Sequence, residues 1–204
     1  MRTKLEIVLG SGSLVCMLVA AGSAAPQRVL KGNEPPFPPT SGTAKIVLTL
    51  PPSAIENSLE ELCGSSSLIV DGFVQSTLTP WINGKSLETD VILLIRSVLK
   101  GNLTGQQLLV SQPGGVLGQF KEDSPQYSLM QPGEHYILFL ERDNRTGVPV
   151  REGLPRYHIM GSFIGSFRIE AEKVHLNPGT GDSLRRKYDG ADLQETLGEI
   201  NGCL

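Results

Sequence analysis

The chain has 204 residues, of which 39% are hydrophobic and 19% charged, and it carries a net charge of −3. That size allows one domain of ordinary dimensions, and the apolar content excludes a chain too polar to fold. The mild acidity excludes a nucleic-acid backbone or an anionic membrane as the main partner, because both recruit basic surfaces.

Residues 1–24 predict a cleavable secretory signal. Arg2 and Lys4 supply a positive start, Leu14-Val15-Cys16-Met17-Leu18-Val19-Ala20-Ala21 an apolar stretch, and Gly22-Ser23-Ala24-Ala25 the small side chains for cleavage after Ala24. Glu6 and Gly10-Ser11-Gly12-Ser13 interrupt the apolar run. It therefore falls short of the roughly 20 apolar residues of a membrane span, and no stable span is expected after cleavage. A secreted or periplasmic location follows. Cleavage also removes Arg2, Lys4 and Glu6, leaving a net charge of about −4. Residues 25–43 hold five prolines and read as an extended linker or arm ahead of a domain from 44 to 204.

With Cys16 lost in the leader, two cysteines remain, Cys63 and Cys203. In an oxidising compartment an even pair is most simply a disulfide, here tying the C-terminal tail to the start of the core; two unpaired thiols are the alternative. A zinc site is not implied, since two distant cysteines lack paired ligand spacing.

Residues 44–50 are a short β-type run. Ser53-Ala54-Ile55-Glu56 matches a capping box, which predicts a helix from 54 to about 62 ending at Gly64. A strand over 67–75 follows, with Gly72 marking a bulge or bend. Pro80-Trp81-Ile82-Asn83-Gly84 carries the Asn-Gly hairpin signal, and 89–99 is the return strand. Val91, Ile92, Leu93, Leu94 and Ile95 give that strand apolar residues on both faces, so a central, doubly covered position is expected. Lys100-Gly101-Asn102 turns the chain into a strand over 107–111.

Residues 112–132 read as a long loop with little regular structure. Strands are expected at 135–140, 157–160, 162–170 and 173–176. Arg185-Arg186-Lys187 reads as a solvated loop, and 192–200 as an amphipathic helix capped by Asp192. The fold class is thus mainly β, a small closed or partly open barrel of five to seven strands with two short helices. A β-sandwich is the alternative.

Catalytic signatures are weak. Gly161-Ser162-Phe163-Ile164-Gly165 has the glycine spacing of a nucleophile elbow, but the serine stands one place early and the segment reads as strand. Gly179-Thr180-Gly181 lacks the third glycine and trailing lysine of a phosphate loop. His135, His158 and His175 have no second metal ligand at a binding spacing; His135 shares a face with Ile137 and Phe139 and reads as a hydrogen-bonded structural histidine. No cofactor or metal is implied. Trp81, with Ile82 beside it, is either an exposed contact for a partner or an indole folded back over the barrel end.

Taken in order, Ser67-Leu-Ile-Val-Asp-Gly-Phe-Val74, Glu88-Thr-Asp-Val91, Ser97-Val-Leu-Lys-Gly101, Gln112-Pro-Gly-Gly115, Gly133-Glu-His-Tyr-Ile-Leu-Phe-Leu140 and Gly165-Ser-Phe-Arg-Ile169 resemble a group of exported bacterial proteins of unassigned function. That pattern spans roughly 63–176 and is similar to the oligonucleotide/oligosaccharide-binding (OB) type of barrel in netrin-like and tissue-inhibitor-of-metalloproteinase domains. The resemblance implies an exported barrel. The zinc-chelating N-terminal cysteine of those inhibitors is not matched, because the expected mature terminus is Ala25 and Cys63 is internal. The leading expectation is a non-enzymatic binding module for a protein or glycan outside the cytoplasm, using Trp81, Ile82 and residues 112–132. A protease-inhibitor-like protein is the second reading, and a hydrolase whose site assembles only in three dimensions the third.

Overall fold

The computed structural model describes residues 44–47, 58–84, 86–149 and 153–204. The signal sequence, the proline-rich arm and the Ser53 capping box lie outside them. Eleven strands and three short helices are present among the described residues: β1 (Ala44–Val47), α1 (Leu59–Ser65), β2 (Leu68–Thr77), β3 (Trp81–Asn83), β4 (Ser86–Lys100), β5 (Gln107–Pro113), β6 (Gly115–Leu117), β7 (Phe120–Asp123), β8 (His135–Arg142), β9 (Arg156–Ile159), β10 (Ser166–Glu170), β11 (Lys173–Leu176), α2 (Asp182–Tyr188) and α3 (Leu193–Gly202).

Five of these strands close on themselves. β2 pairs antiparallel with β4, β4 with β5, β5 runs parallel to β9, and β9 and β2 both pair antiparallel with β8. Closure excludes the sandwich and gives a five-stranded barrel compatible with the OB type. Period-2 alternation aims Leu68, Val70, Val74, Val91, Leu93, Leu108, Val110, Tyr136, Leu138 and Tyr157 into one buried cluster, which fills the barrel. Gly72 is required where β2 bends: a Cβ there would lie 2.6 Å from the Leu94 carbonyl oxygen, and the β2–β4 register shifts between Asp71 and Gly72.

A second cluster covers the outside of β2 and β8. Ile69, Ile137 and Phe139 pack with Phe167 of β10, Val174 of β11 and Leu62, Leu184, Leu193 and Ile200 of the helices. β8 is therefore apolar on both faces because both are buried. β4 departs from that expectation: Leu94 on its outer face is 42% exposed, beside Phe73 of β2 at 40%. β1, β7 and β6 form a separate three-stranded sheet.

Local chemistry sets the helix ends. Ser58 caps α1 by accepting from the Glu61 N–H at 3.2 Å, and Asp192 caps α3 by accepting from the Gln194 N–H at 2.9 Å. Residues 185–187 are not loop but part of α2. Leu184 and Tyr188 bury one side of it, and Arg185 pairs with Asp189 at 3.6 Å. The strand expected from 162 begins only at Ser166, because Ser162 takes φ +64° within a tight turn.

Cys63 and Cys203 stand at disulfide-bonding distance, with Cα atoms 6.3 Å apart. The bond joins α1 to the end of α3 across 140 residues. Cys203→Ser should lower stability by about 2–5 kcal/mol in urea unfolding, and the native protein should show no free thiol by mass under non-reducing conditions.

The two-residue turn between β10 and β11 places Ala171 and Glu172 at φ +50° and +59°, a backbone that suits an Asn-Gly pair. The double substitution Ala171→Asn/Glu172→Gly should therefore raise stability by about 1 kcal/mol. A lowered urea midpoint would refute the turn geometry.

Candidate functional site

A dense polar assembly lies on the outside of the barrel where β4, β5 and β9 meet the β3–β4 hairpin. Asn83 and Gly84 turn that hairpin, Gly84 at φ +63°, so that Trp81 faces Glu88 in the antiparallel register. Asp90 and Ser111 come from adjacent positions of β4 and β5, and Arg156 and His158 from alternate positions of β9. Outward-facing strand positions carry all four, because their inward neighbours fill the core.

The charges are held in fixed pairs. Arg145, in the segment after β8, donates both terminal nitrogens to Glu88 at 2.6 and 2.8 Å and its Nε to Asp143 at 3.0 Å. Asp143 also accepts from the Arg145 backbone at 3.0 Å and faces His158 Nε2 at 3.1 Å. Arg156 donates to Asp90, to Ser111 Oγ at 2.8 Å and to the Pro149 carbonyl at 2.5 Å. Buried charges of this kind need partners within hydrogen-bond reach, and here they have them.

Trp81 lies against both guanidinium groups, 5.8 Å from Arg145 and 5.5 Å from Arg156. The indole is half-buried, with no hydrogen-bond partner for Nε1 among the described residues, while Ile82 is 41% exposed. The hairpin thus keeps its tryptophan packed and its isoleucine in solvent. Two arginines against Glu88, Asp90 and Asp143 leave no excess positive charge, so the surface is not an anion trap.

The segment 112–132 departs from the loop expected of it. β6 and β7 form a hairpin within it, Glu122 accepts from the Leu87 N–H at 2.5 Å, the Tyr127 hydroxyl donates to the Pro113 carbonyl at 2.9 Å, and the Met130 N–H donates to Gln112 at 3.2 Å. Gly115 is needed there, since a Cβ would meet Thr89 Oγ1 at 2.5 Å. These contacts fasten the segment to the barrel end.

The histidines are dispersed on β8, β9 and β11. His135 bonds Asp71 at 2.5 Å and stacks on Phe73 at 4.4 Å, as its structural reading requires. Among the described residues no group of three His, Cys, Asp or Glu side chains could hold a metal ion, and no helix is long and apolar enough to cross a membrane. Cys63 and Cys203 are brought together and serve the helical layer. No family model matches this chain, and no curated protein is similar to it at a significant level.

Sequence reasoning missed Glu88, Asp90, Asp143, Arg145 and Arg156. One signal was available: an aspartate inside the apolar return strand must find a cation or lose its charge. Which cation could not be read, as Arg156 is 66 positions away.

Burial pushes the Asp143 carboxyl up, but hydrogen bonds from Arg145 and the neighbouring His158 and Arg145 charges outweigh it and bring the pKa to about 2, below the ordinary 3.8. A depressed folded-state pKa contributes stability above the unfolded value and loses it as pH falls towards the folded one. Unfolding free energy should therefore drop between pH 4 and pH 2, roughly, and Asp143→Asn should flatten that part of the curve. Arg145→Ala should cost about 2–3 kcal/mol at neutral pH, less than a fully buried pair because part of the side chain is solvated. An unchanged urea midpoint in that variant would show that the clamp is not holding the loop.

Proposed function

We propose that this chain is a non-enzymatic binding module of an exported protein, and that it meets a protein or glycan partner outside the cytoplasm through Ile82 and the exposed rim of Trp81. One observation carries the reading: the Arg145 clamp on Glu88 and Asp143 fixes the hairpin and the segment after β8 as one rigid platform. Preorganised loops bind without the ordering cost of mobile ones. The barrel supports the same reading, because its interior is packed with side chains and a ligand must therefore bind outside.

The sequence resemblance to netrin-like and inhibitor barrels fits an extracellular binding role. The metalloproteinase-inhibitor mechanism is not carried over, since Cys63 is engaged with Cys203. The fastened 112–132 segment gives no support to a free reactive loop either.

Ile82→Glu places a charge on an exposed side chain and should leave the melting temperature within a degree or two of wild type. Immobilised wild-type protein should retain specific components of its native extracellular fraction that Ile82→Glu and Trp81→Ala release. Identical retention by all three proteins would refute the hairpin as the contact.

A further inference from the structure

Inward positions of a small barrel are filled by apolar side chains, and β8 follows that rule at Tyr136, Leu138 and Leu140. The next position of the same alternation is Arg142, the last residue of the strand, which stands opposite Tyr157 of β9 in the antiparallel register. A charged residue in that series breaks the local pattern, and such departures concentrate at functional sites.

This end of the barrel is uncovered. Val98 of β4, opposite Val70, is 41% exposed. A cleft of about 470 Å³ lies here between the β4–β5 turn and the residues just before β9. That volume is within the range of small-molecule sites, which favour barrel mouths. Leu103, Leu154 and Tyr157 give the cleft apolar walls, and Asn102, Thr104 and Arg142 its polar rim. Leu103 also packs against the barrel core, so the cleft rests on that core.

Arg142 is the one charged side chain among the described residues that line the cleft. It is exposed, so solvent and ligands reach it. Arginine keeps its charge throughout the physiological range. Among the described residues no carboxylate pairs with it; Glu141, its neighbour in sequence, takes an outward position opposite His158.

The guanidinium is held in place all the same. It packs 5.4 Å from the centre of the Tyr157 ring, and Nη1 donates to the Tyr157 hydroxyl at 3.3 Å. The Arg142 backbone N–H donates to Ser67 Oγ at 3.2 Å, which fastens the end of the strand. Nε and Nη2 have no acceptor among the described residues. A fork of donors oriented in advance loses little freedom when it meets a carboxylate, and it can bond both oxygens.

We infer that this mouth binds a small organic acid, a single carboxylate carried on an apolar body. The carboxylate meets Arg142, with Asn102 and Thr104 beside it, and the body lies against Leu103, Leu154 and Tyr157. A bare inorganic anion would leave those walls wet, and a neutral apolar molecule would leave the guanidinium donors unmatched.

The test is an NMR titration of the full, isotope-labelled mature chain with N-acetyl-L-leucine. N-acetyl-L-leucinamide serves as its uncharged isostere and acetate as the bare carboxylate. The acid should shift the amide signals of residues 102–104 and Arg142 saturably, and bind roughly tenfold tighter than either control. Arg142→Gln should weaken it by roughly the same factor. Thr104→Trp, which fills the cleft from an exposed position, should block it, and keeps the test decisive if Arg142→Gln disturbs Tyr157. The peptide acetyl-Gly-Gly-Leu and 4-methylpentanoate separate the sources of the carboxylate. Tighter binding of the peptide assigns the site to a peptide C-terminus, and tighter binding of 4-methylpentanoate to a free small acid. No shifts at these residues, equal affinity for the amide or for acetate, or affinity unchanged in both variants would overturn the proposal. Trp81 does not line this cleft, so Trp81→Ala should bind the acid as wild type does, and the result is independent of the hairpin reading.

Discussion

Four residues, Arg156–Ile159, close the sheet on itself. β9 lies parallel to β5 on one edge and antiparallel to β8 on the other, which removes the two open edges the sheet would otherwise expose. Once closed, the ring has an inside and an outside, and every alternate residue of β9 is committed to one of them. Tyr157 and Ile159 go in with the aliphatic core; Arg156 and His158 go out. The polar assembly around Trp81 exists because of that commitment, since an outward Arg156 meets the outward Asp90 and Ser111 of the neighbouring strands.

The outside of the barrel is then divided. On the β8 side, apolar Ile137 and Phe139 are covered by β10, β11 and the three helices, and the Cys63–Cys203 bond anchors the two ends of that layer. On the β4, β5 and β9 side the cover is thinner and made of charges in fixed pairs, leaving Leu94 and Ile82 in contact with solvent. Side chains fill the closed interior.

Much of the architecture was legible in sequence. The apolar runs of β2, β8 and β11, the Asn83-Gly84 turn, the Gly72 bend and the Asp192 cap are local signals, and each is found where local chemistry placed it. The failures share a cause. β6 and β7 are three and four residues long, with too few alternations to show a period, and they are stabilised by Glu122 reaching Leu87 across 35 positions. α2 is seven residues with two buried side chains, so its basic run hid a short apolar stripe. The site was less legible than the fold: Trp81 and Ile82 could be singled out, but the arginine clamp could not.

What the sequence determined by itself was a mainly β chain with a cysteine pair, turn positions and strands of known polarity, because backbone sterics and hydrophobic periodicity act over a few residues. Tertiary structure alone decided that the sheet closes, that Leu94 and Val98 stay exposed though their strand is central, and that Arg145 meets Glu88. Those outcomes depend on which surfaces lie within about 4 Å after folding, and Coulomb and hydrogen-bond energies are set by that distance and by burial, neither of which is encoded in spacing along the chain.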